Sequence, residues 1–255
     1  MTSKSWIQPD WNAPAAVQGL TTTRLDAGVS QAPFDRFNMG NCASPQGDDP
    51  DAVRENRRQL REMAALPSDP FWLRQVHGSD VVELERASQL SELPEADASF
   101  TRERGLVLAI QTADCLPVLL TDQQGTVVAG AHAGWRSLVG GVLEETVNAM
   151  DVDPVHLLAW LGPAAGPSEY EIGMDVYDAF VSSNWSLGAA FKTTRDHHWN
   201  VDLYAIARMK LETLGLRPDR ISGGDRCTIR ERDVFYSHRR DQRTGRMASL
   251  IWMAP

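Results

Sequence analysis

Three short apolar runs constrain the fold of this chain most: Leu106-Val107-Leu108-Ala109-Ile110, Pro117-Val118-Leu119-Leu120 and Val127-Val128-Ala129-Gly130-Ala131. Each is too short for an ordinary helix, rich in aliphatic and β-branched residues, and lacks polar alternation, so each is expected as a strand covered on both faces. His156-Leu157-Leu158-Ala159-Trp160-Leu161 adds another strand, and Ala248 to Met253 a terminal one after the turn at Thr244-Gly245. Helices are expected between them. Asp49 as cap and Pro50 in the first turn precede Val53, Asn56, Arg57, Leu60, Met63 and Ala64 at helical spacing, which predicts a helix over 50–65. Val139, Val142, Leu143, Thr146, Val147 and Met150 mark one face of a second helix, with Ser137 as its candidate cap. Two more are expected over Met174 to Val181 and Asp202 to Leu214, the latter stopped by Gly215. Strands and helices alternate irregularly, which points to an α+β fold of mixed β-sheets packed between helices rather than a regular barrel. The loops at 43–49 and 163–167 are too short to divide the chain, and no repeat appears, so 1–255 is expected as a single domain.

With 42% hydrophobic residues, 255 residues can fill a substantial core. A formal net charge of −9 argues against nucleic acid as a partner, because such binding draws on Lys and Arg neutralising phosphates. No apolar run approaches the length of a membrane span, and Gln8, Pro9 and Asp10 interrupt any apolar core of an export signal, so a cytoplasmic protein without a membrane partner is expected. Arginine nevertheless gathers near the C-terminus: Arg217, Arg220, Arg226, Arg230, Arg232, Arg239, Arg240, Arg243 and Arg246 outnumber the acids among them. These can hold a small anion or sit in solvated ion pairs. Cys42, Cys115 and Cys227 cannot all pair, so at least one thiol is free.

The chemistry concentrates on His77, Cys115 and His132. Two nitrogens and a sulfur are three of the four ligands of a tetrahedral zinc, and a three-ligand site leaves a position for water or substrate. Cys115 stands at the break between two apolar strands, before Pro117, while His132 follows the small residues Gly130 and Ala131, and His77 precedes Gly78. Taken singly, each has an ordinary reading, as an inert core thiol or a hydrogen-bonded core imidazole. Asp114 either turns inward to orient a ligand imidazole and shuttle a proton, or turns outward and fixes a turn. Cys42 and Cys227 have no nearby His and are expected to be structural, and His197-His198 is expected in a loop.

Longer segments carry a resemblance. Thr22-Thr23-Arg24, Asn38-Met39-Gly40, Gln75-Val76-His77-Gly78, Thr112-Ala113-Asp114-Cys115-Leu116-Pro117-Val118-Leu119, Ala131-His132-Ala133-Gly134-Trp135-Arg136, Gly162-Pro163-Ala164, Tyr170-Glu171-Ile172-Gly173 and Thr244-Gly245-Arg246-Met247-Ala248 resemble the polyphenol-oxidase, or laccase-domain, family, also known as peptidoglycan editing factor or multifunctional purine nucleoside phosphorylase. The resemblance implies zinc held by His77, Cys115 and His132, with copper as the other metal this donor set can take; Asp114, beside the thiol, joins the three as a candidate catalytic residue. It implies phosphorolysis of adenosine, inosine, guanosine and methylthioadenosine, together with deamination of adenosine; a zinc-activated water is suited to attack C6 of adenine. Asn38, Arg74, Gln75, Arg136 and Arg239, on or beside the matching segments, are the candidates for binding nucleoside and phosphate; the arginines offer bidentate contacts. Two segments depart from the family pattern: Arg24-Leu25-Asp26-Ala27-Gly28-Val29-Ser30, and His238 where an aromatic is common. Three other readings compete: a copper-dependent phenol oxidase, a metal-free Cys–His hydrolase editing cell-wall precursors, and a zinc-stabilised module without activity.

Overall fold

The structure, a computed structural model, describes residues 6–25, 27–40, 42, 45–85 and 93–255. Met1 to Ser5, Asp26, Ala43 and Ser44, on which parts of the sequence reading rest, lie outside the described residues. The chain opens with β1 (Trp6–Ile7), β2 (Val17–Thr22) and α1 (Pro50–Met63). Next come β3 (Val81–Glu83), β4 (Ala98–Thr101), β5 (Leu108–Thr112), β6 (Leu116–Asp122) and β7 (Val128–Ala133), which lead into α2 (Trp135–Gly140) and α3 (Val142–Ala149). The remainder holds β8 (Leu157–Leu161), β9 (Glu171–Gly173), α4 (Met174–Ser183), β10 (Phe191–Arg195), β11 (His198–Val201), α5 (Leu203–Thr213), β12 (Ile221–Gly223), α6 (His238–Asp241) and β13 (Met247–Met253).

These strands form a mixed six-stranded sheet in the order β12-β8-β6-β7-β4-β3, an antiparallel four-stranded sheet in the order β1-β2-β13-β5, and a small antiparallel sheet, β10-β11-β9. The pairs β12–β8 and β3–β4 are parallel, the rest of the large sheet antiparallel. The fold is α+β with mixed sheets, as the sequence predicts.

Side-chain alternation stacks the layers. In β13, Ala248, Leu250 and Trp252 pack with Leu60 of α1, while Ile251 and Met253 face Leu119 of β6 and Val128 of β7. In β6, Leu116, Val118 and Leu120 point the other way, into a core shared with α3 and α5. Every residue of β6, β7 and β13 is buried. A strand covered on both sides has no solvent face for a polar row, which is why these runs read as continuous apolar stretches.

Some boundaries differ from the sequence expectation. Ser137 is not a cap: Gly134 takes that position, Ser137 lies buried inside α2, and Gly141 at φ +91° separates α2 from α3. Met63, expected on the buried face of α1, is 46% exposed. His156 belongs to a short 3-10 turn ahead of β8. Gly215 does end its helix, at φ +108°.

The polar member of the α1 stripe is a clamp. Asn56 is fully buried; its Nδ2 donates to Asn38 O (2.9 Å), Ser30 Oγ (2.9 Å) and Arg36 O (3.2 Å), and its Oδ1 accepts from Val29 N–H (2.8 Å). The loop carrying Asn38 is thereby tied to the helix. Removing the carboxamide strands several buried polar groups, so Asn56→Ala is expected to lower unfolding free energy by about 2–3 kcal/mol. Chemical denaturation checks this; a variant as stable as the parent would show that the clamp is dispensable.

Candidate functional site

The antiparallel pair β6–β7 brings two of the three candidate ligands together. Pro117 lies opposite His132, so Cys115, two residues earlier, falls on the diagonal of His132 and on the same face. Along β7, Val128, Gly130 and His132 face the four-stranded sheet, while Ala129, Ala131 and Ala133 face the helices. Gly130 permits the close approach of that sheet: a Cβ there would sit 3.1 Å from Ile110 Cγ1.

Continuing the β4–β7 register one step beyond Ala98 and Ala131 sets Asp97 opposite His132, whose N–H donates to Asp97 O (2.7 Å). The Asp97 carboxylate is fully buried and takes four donors. Oδ1 accepts from His132 Nδ1–H (2.7 Å) and His77 N–H (3.0 Å), and Oδ2 from Gly78 N–H (2.7 Å) and Val76 N–H (3.1 Å). Burial alone would raise this carboxyl; the His132 imidazole and the backbone N–H groups outweigh it and hold the group below the usual carboxylate range. Because a carboxylate only accepts, the proton of His132 stays on Nδ1 and Nε2 is free to ligate. His77 sits at φ +62°, a conformation disfavoured for a side-chain-bearing residue, and the three consecutive N–H bonds to Asp97 hold it there.

The ligand atoms of His77, Cys115 and His132 all lie within 4.8 Å of one another. Cys115 Sγ is 3.7 Å from His77 Nε2, close to the edge of about 3.3–3.6 Å that zinc–nitrogen and zinc–sulfur bond lengths give a tetrahedron. Gly134 preserves the space: a Cβ there would come 3.0 Å from Cys115 Sγ and 3.1 Å from His77 Cδ2. Burial pushes the Cys115 thiol up, but the His132 charge beside it and hydrogen bonds from both imidazoles bring it down to about 6. His132, conversely, is disfavoured as a cation by burial, yet the thiolate and Asp97 raise it to about 9. Without a metal the pair is a thiolate–imidazolium. The donor set fits a divalent ion, and among the described residues no further His, Cys or carboxylate joins the group.

The cluster lies on the wall of a cavity of about 570 Å³. Gln75 lines it with its carboxamide fixed, Nε2 donating to Gln111 O (2.8 Å) and Oε1 accepting from Gln111 N–H (2.8 Å). Arg136 lines it as an exposed residue, its guanidinium 4.2 Å from the Trp135 ring centroid. Arg239, also exposed, lies 4.8 Å from the Tyr170 ring centroid and donates to Glu171 O (2.7 Å).

Of the remaining candidates Asp114 lines the cavity with its carboxylate already engaged, and Arg74 and Asn38 stand off it. Asp114, at φ +92°, is buried on the cavity lining, where its Oδ1 accepts from Thr228 Oγ1–H (2.6 Å) and its Oδ2 from Arg239 N–H (2.6 Å); the carboxylate ties two distant segments together, and Asp97 occupies the position that orients a ligand imidazole. Arg74 is exposed and paired with Glu95, off the cavity wall. Asn38 is fully buried behind that wall, where its Oδ1 accepts from Arg246 N–H (2.7 Å) and Gly40 N–H (3.0 Å). Cys227 is buried and its Sγ accepts from Gly166 N–H (3.3 Å), in keeping with a structural thiol; His197 occupies a turn and His198 opens β11.

Sequence reasoning did not single out Asp97, Gln111 or Tyr170 as site residues, placed Arg246 in the basic C-terminal cluster and in a family-matching segment without giving it a role, and mentioned His238 as a departure from the family pattern; all but Asp97 line the cavity. For Asp97 the available signal was an acid between Ala96 and Ala98 at the start of a short strand. Much of the arginine cluster is absorbed in pairs, Arg217 with Asp219, Arg226 with Glu231 and Arg240 with Asp241. Arg246 is different: burial lowers its guanidinium, while the charges of Cys115 and Asp114 act in the opposite sense.

Comparison with known proteins places these features in context. The chain is 51% identical over 254 residues to a purine nucleoside phosphorylase of Xylella fastidiosa (strain 9a5c), covering 98% of this chain and 97% of that protein. It is 47% identical over 248 residues to the purine nucleoside phosphorylase YfiH of Escherichia coli (strain K12), covering 97% of this chain and 98% of the relative. Among solved structures, a Neisseria meningitidis protein superposes with a TM-score of 0.91 at 45% identity, covering 99% of this chain and all of that one. YlmD from Geobacillus stearothermophilus superposes with a TM-score of 0.88 at 29% identity, covering 100% of this chain and 98% of that one. Residues 18–254 match the family model described as multi-copper polyphenol oxidoreductase laccase, and the chain belongs to that family.

Proposed function

We propose that this protein is a zinc-dependent purine nucleoside phosphorylase acting on adenosine, inosine, guanosine and methylthioadenosine, with adenosine deaminase activity, and that it works in the cytoplasm on small molecules. The observation that carries the reading is the convergence of His77, Cys115 and His132 on a cavity that also presents Arg136, Arg239 and Arg246. The phosphorylase names of relatives at 47–51% identity support it. Among the described residues no helix is long and apolar enough to cross a membrane.

Zinc, when bound, supplies Lewis acidity and lowers the pKa of coordinated water to about 7. The protein's own groups do the rest. Asp97 keeps the His132 proton on Nδ1 and fixes the His77 backbone, so two ligands are positioned before any ion arrives. In phosphorolysis a phosphate oxygen bonds to C1′ as the bond to the base breaks and the base takes up a proton; the arginines hold that phosphate beside the ribose.

Copper chemistry of the multicopper type is disfavoured by the donors. Reducing dioxygen to water draws on several coppers acting together, and among the described residues the His77-Cys115-His132 group is the one set of three donors. The thiolate–imidazolium pair favours one second reading, a metal-free hydrolase using Cys115 as nucleophile. Metal content separates the two: a zinc-free protein that is active and loses activity on thiol alkylation would establish the hydrolase.

The primary test is substitution of each ligand. His77→Ala, Cys115→Ala and His132→Ala are each expected to abolish zinc binding together with adenosine turnover, followed by chromatography for adenine and inosine; any variant that keeps both removes its residue from the ligand set. Asp97→Asn, which leaves the three ligands in place, is expected to weaken zinc binding about 10–100-fold in competition with a chromophoric chelator. Unchanged affinity would mean that Asp97 does not orient the site. Zinc needs the thiolate and a neutral imidazole, and between pH 6 and 9 the thiol is already ionised while His132 is protonated. His132 should therefore release about one proton per zinc, and affinity should rise with pH up to about 9. Calorimetry in buffers of different ionisation enthalpy reads the proton count, and an affinity that falls with pH would refute the assignment.

A further inference from the structure

Two sequence motifs, Asn38-Met39-Gly40 and Thr244-Gly245-Arg246, are far apart in the chain and meet behind the cavity. Asn38 Oδ1 accepts from Arg246 N–H (2.7 Å), and Met39 N–H donates to Arg246 O (3.0 Å). Gly245 allows this approach, since a Cβ there would meet the Tyr236 ring at 2.8 Å and Asn38 Oδ1 at 3.0 Å. Gly40 does the same, because a Cβ there would collide with the Gln111 carboxamide. The backbone of Arg246 is thus locked on both sides.

Its guanidinium is aimed by its own turn, Nη1 donating to Gly245 O (2.9 Å) and Thr244 O (3.1 Å). Nε and Nη2 have no hydrogen-bond partner among the described residues, and no carboxylate pairs with the group. A half-buried guanidinium left in this condition bears a desolvation cost that an incoming anion would offset. The negative groups acting on it are Cys115 and Asp114. Asp114 is spent on Thr228 and Arg239, and Cys115 is neutralised as a donor whenever a metal is bound. Arg136 and Arg239 differ in kind, because both are exposed and lie over aromatic rings.

We propose that Arg246, locked by Asn38 and its own turn carbonyls, forms the recessed oxyanion subsite of this cavity and takes inorganic phosphate. The inference rests on the phosphorylase reading for the identity of the anion, but its test does not require turnover. Phosphate binding to the purified full-length protein is measured by calorimetry without nucleoside. Arg246→Gln is expected to weaken it about tenfold or more, Arg246→Lys to weaken it less, and Arg58→Gln, on the exposed face of α1 in pairs with Glu55 and Glu62, to leave it within about twofold. If Arg246→Gln does not fold, the wild-type protein still decides: phosphate must shift the Arg246 side-chain Nε–Hε resonance, identified as the signal missing from Arg246→Lys. Unaltered phosphate binding in Arg246→Gln, or an Nε–Hε signal that phosphate leaves in place, overturns the subsite. The two ideas fail separately. Arg246-dependent phosphate binding without nucleoside cleavage removes the phosphorylase reading and keeps the subsite, whereas cleavage with an unchanged KM for phosphate in Arg246→Gln does the reverse.

Discussion

One buried carboxylate joins three separate pieces of chain at the centre of this protein. Asp97 takes three consecutive backbone N–H groups from the His77 loop on one side and the His132 ring on the other, while its own carbonyl accepts from the His132 backbone. A carboxylate this deep would be costly if unsatisfied, yet four donors leave neither oxygen unpaired. The same bonds that offset desolvation also fix the His77 backbone in its left-handed conformation and the His132 tautomer. Ligand geometry follows from the way this charge is buried. The loop, β4 and β7 cannot shift independently without breaking the carboxylate's hydrogen bonds.

What could be read from the sequence followed from how each element is covered. β6, β7 and β13 are buried on both faces, so their apolar runs announce strands directly. β4, with the short sequence Ala98-Ser99-Phe100-Thr101, gives no such signal, and β10 is mostly exposed and polar, so neither was legible. The start of α2 was misplaced at Ser137 because the operative cap is a glycine with no side-chain bond, whose presence answers to the space beside Cys115 and His77. Local chemistry and local propensity point to different residues there, and the site prevails.

The site was legible in its residue types and opaque in its register. His77, Cys115 and His132 stand out because a thiol and two imidazoles are scarce in this chain, but nothing local says that Asp97 opposes His132, since that pairing depends on a strand register spanning 35 positions. Asn38 shows the converse. It was singled out with the functional segments, and the structure sets it one layer back, where it holds the backbone of Arg246. Arg74 reads as a phosphate ligand by charge alone and ends in a solvated pair with Glu95, of the sort that contributes little.

The placement of all these groups follows from the layering. The interface between the four- and six-stranded sheets is packed with Leu108, Leu119, Val128 and Ile251, and the hydroxyls of Thr21 and Ser249 on the same face are spent on each other (2.7 Å). Chemistry is therefore confined to where strands stop. Gln111 and Thr112 end β5, Cys115 immediately precedes β6, His132 lies next to the end of β7, Asp97 immediately precedes β4, and Arg246 immediately precedes β13. The pairings Leu116 with Ala133 and Met247 with Thr112 bring these ends to one side of the sandwich. A rigid apolar interior thus fixes the spacing of the ligands and of Arg246 at its rim, and exposed residues such as Arg136 and Arg239 complete the wall of the cavity.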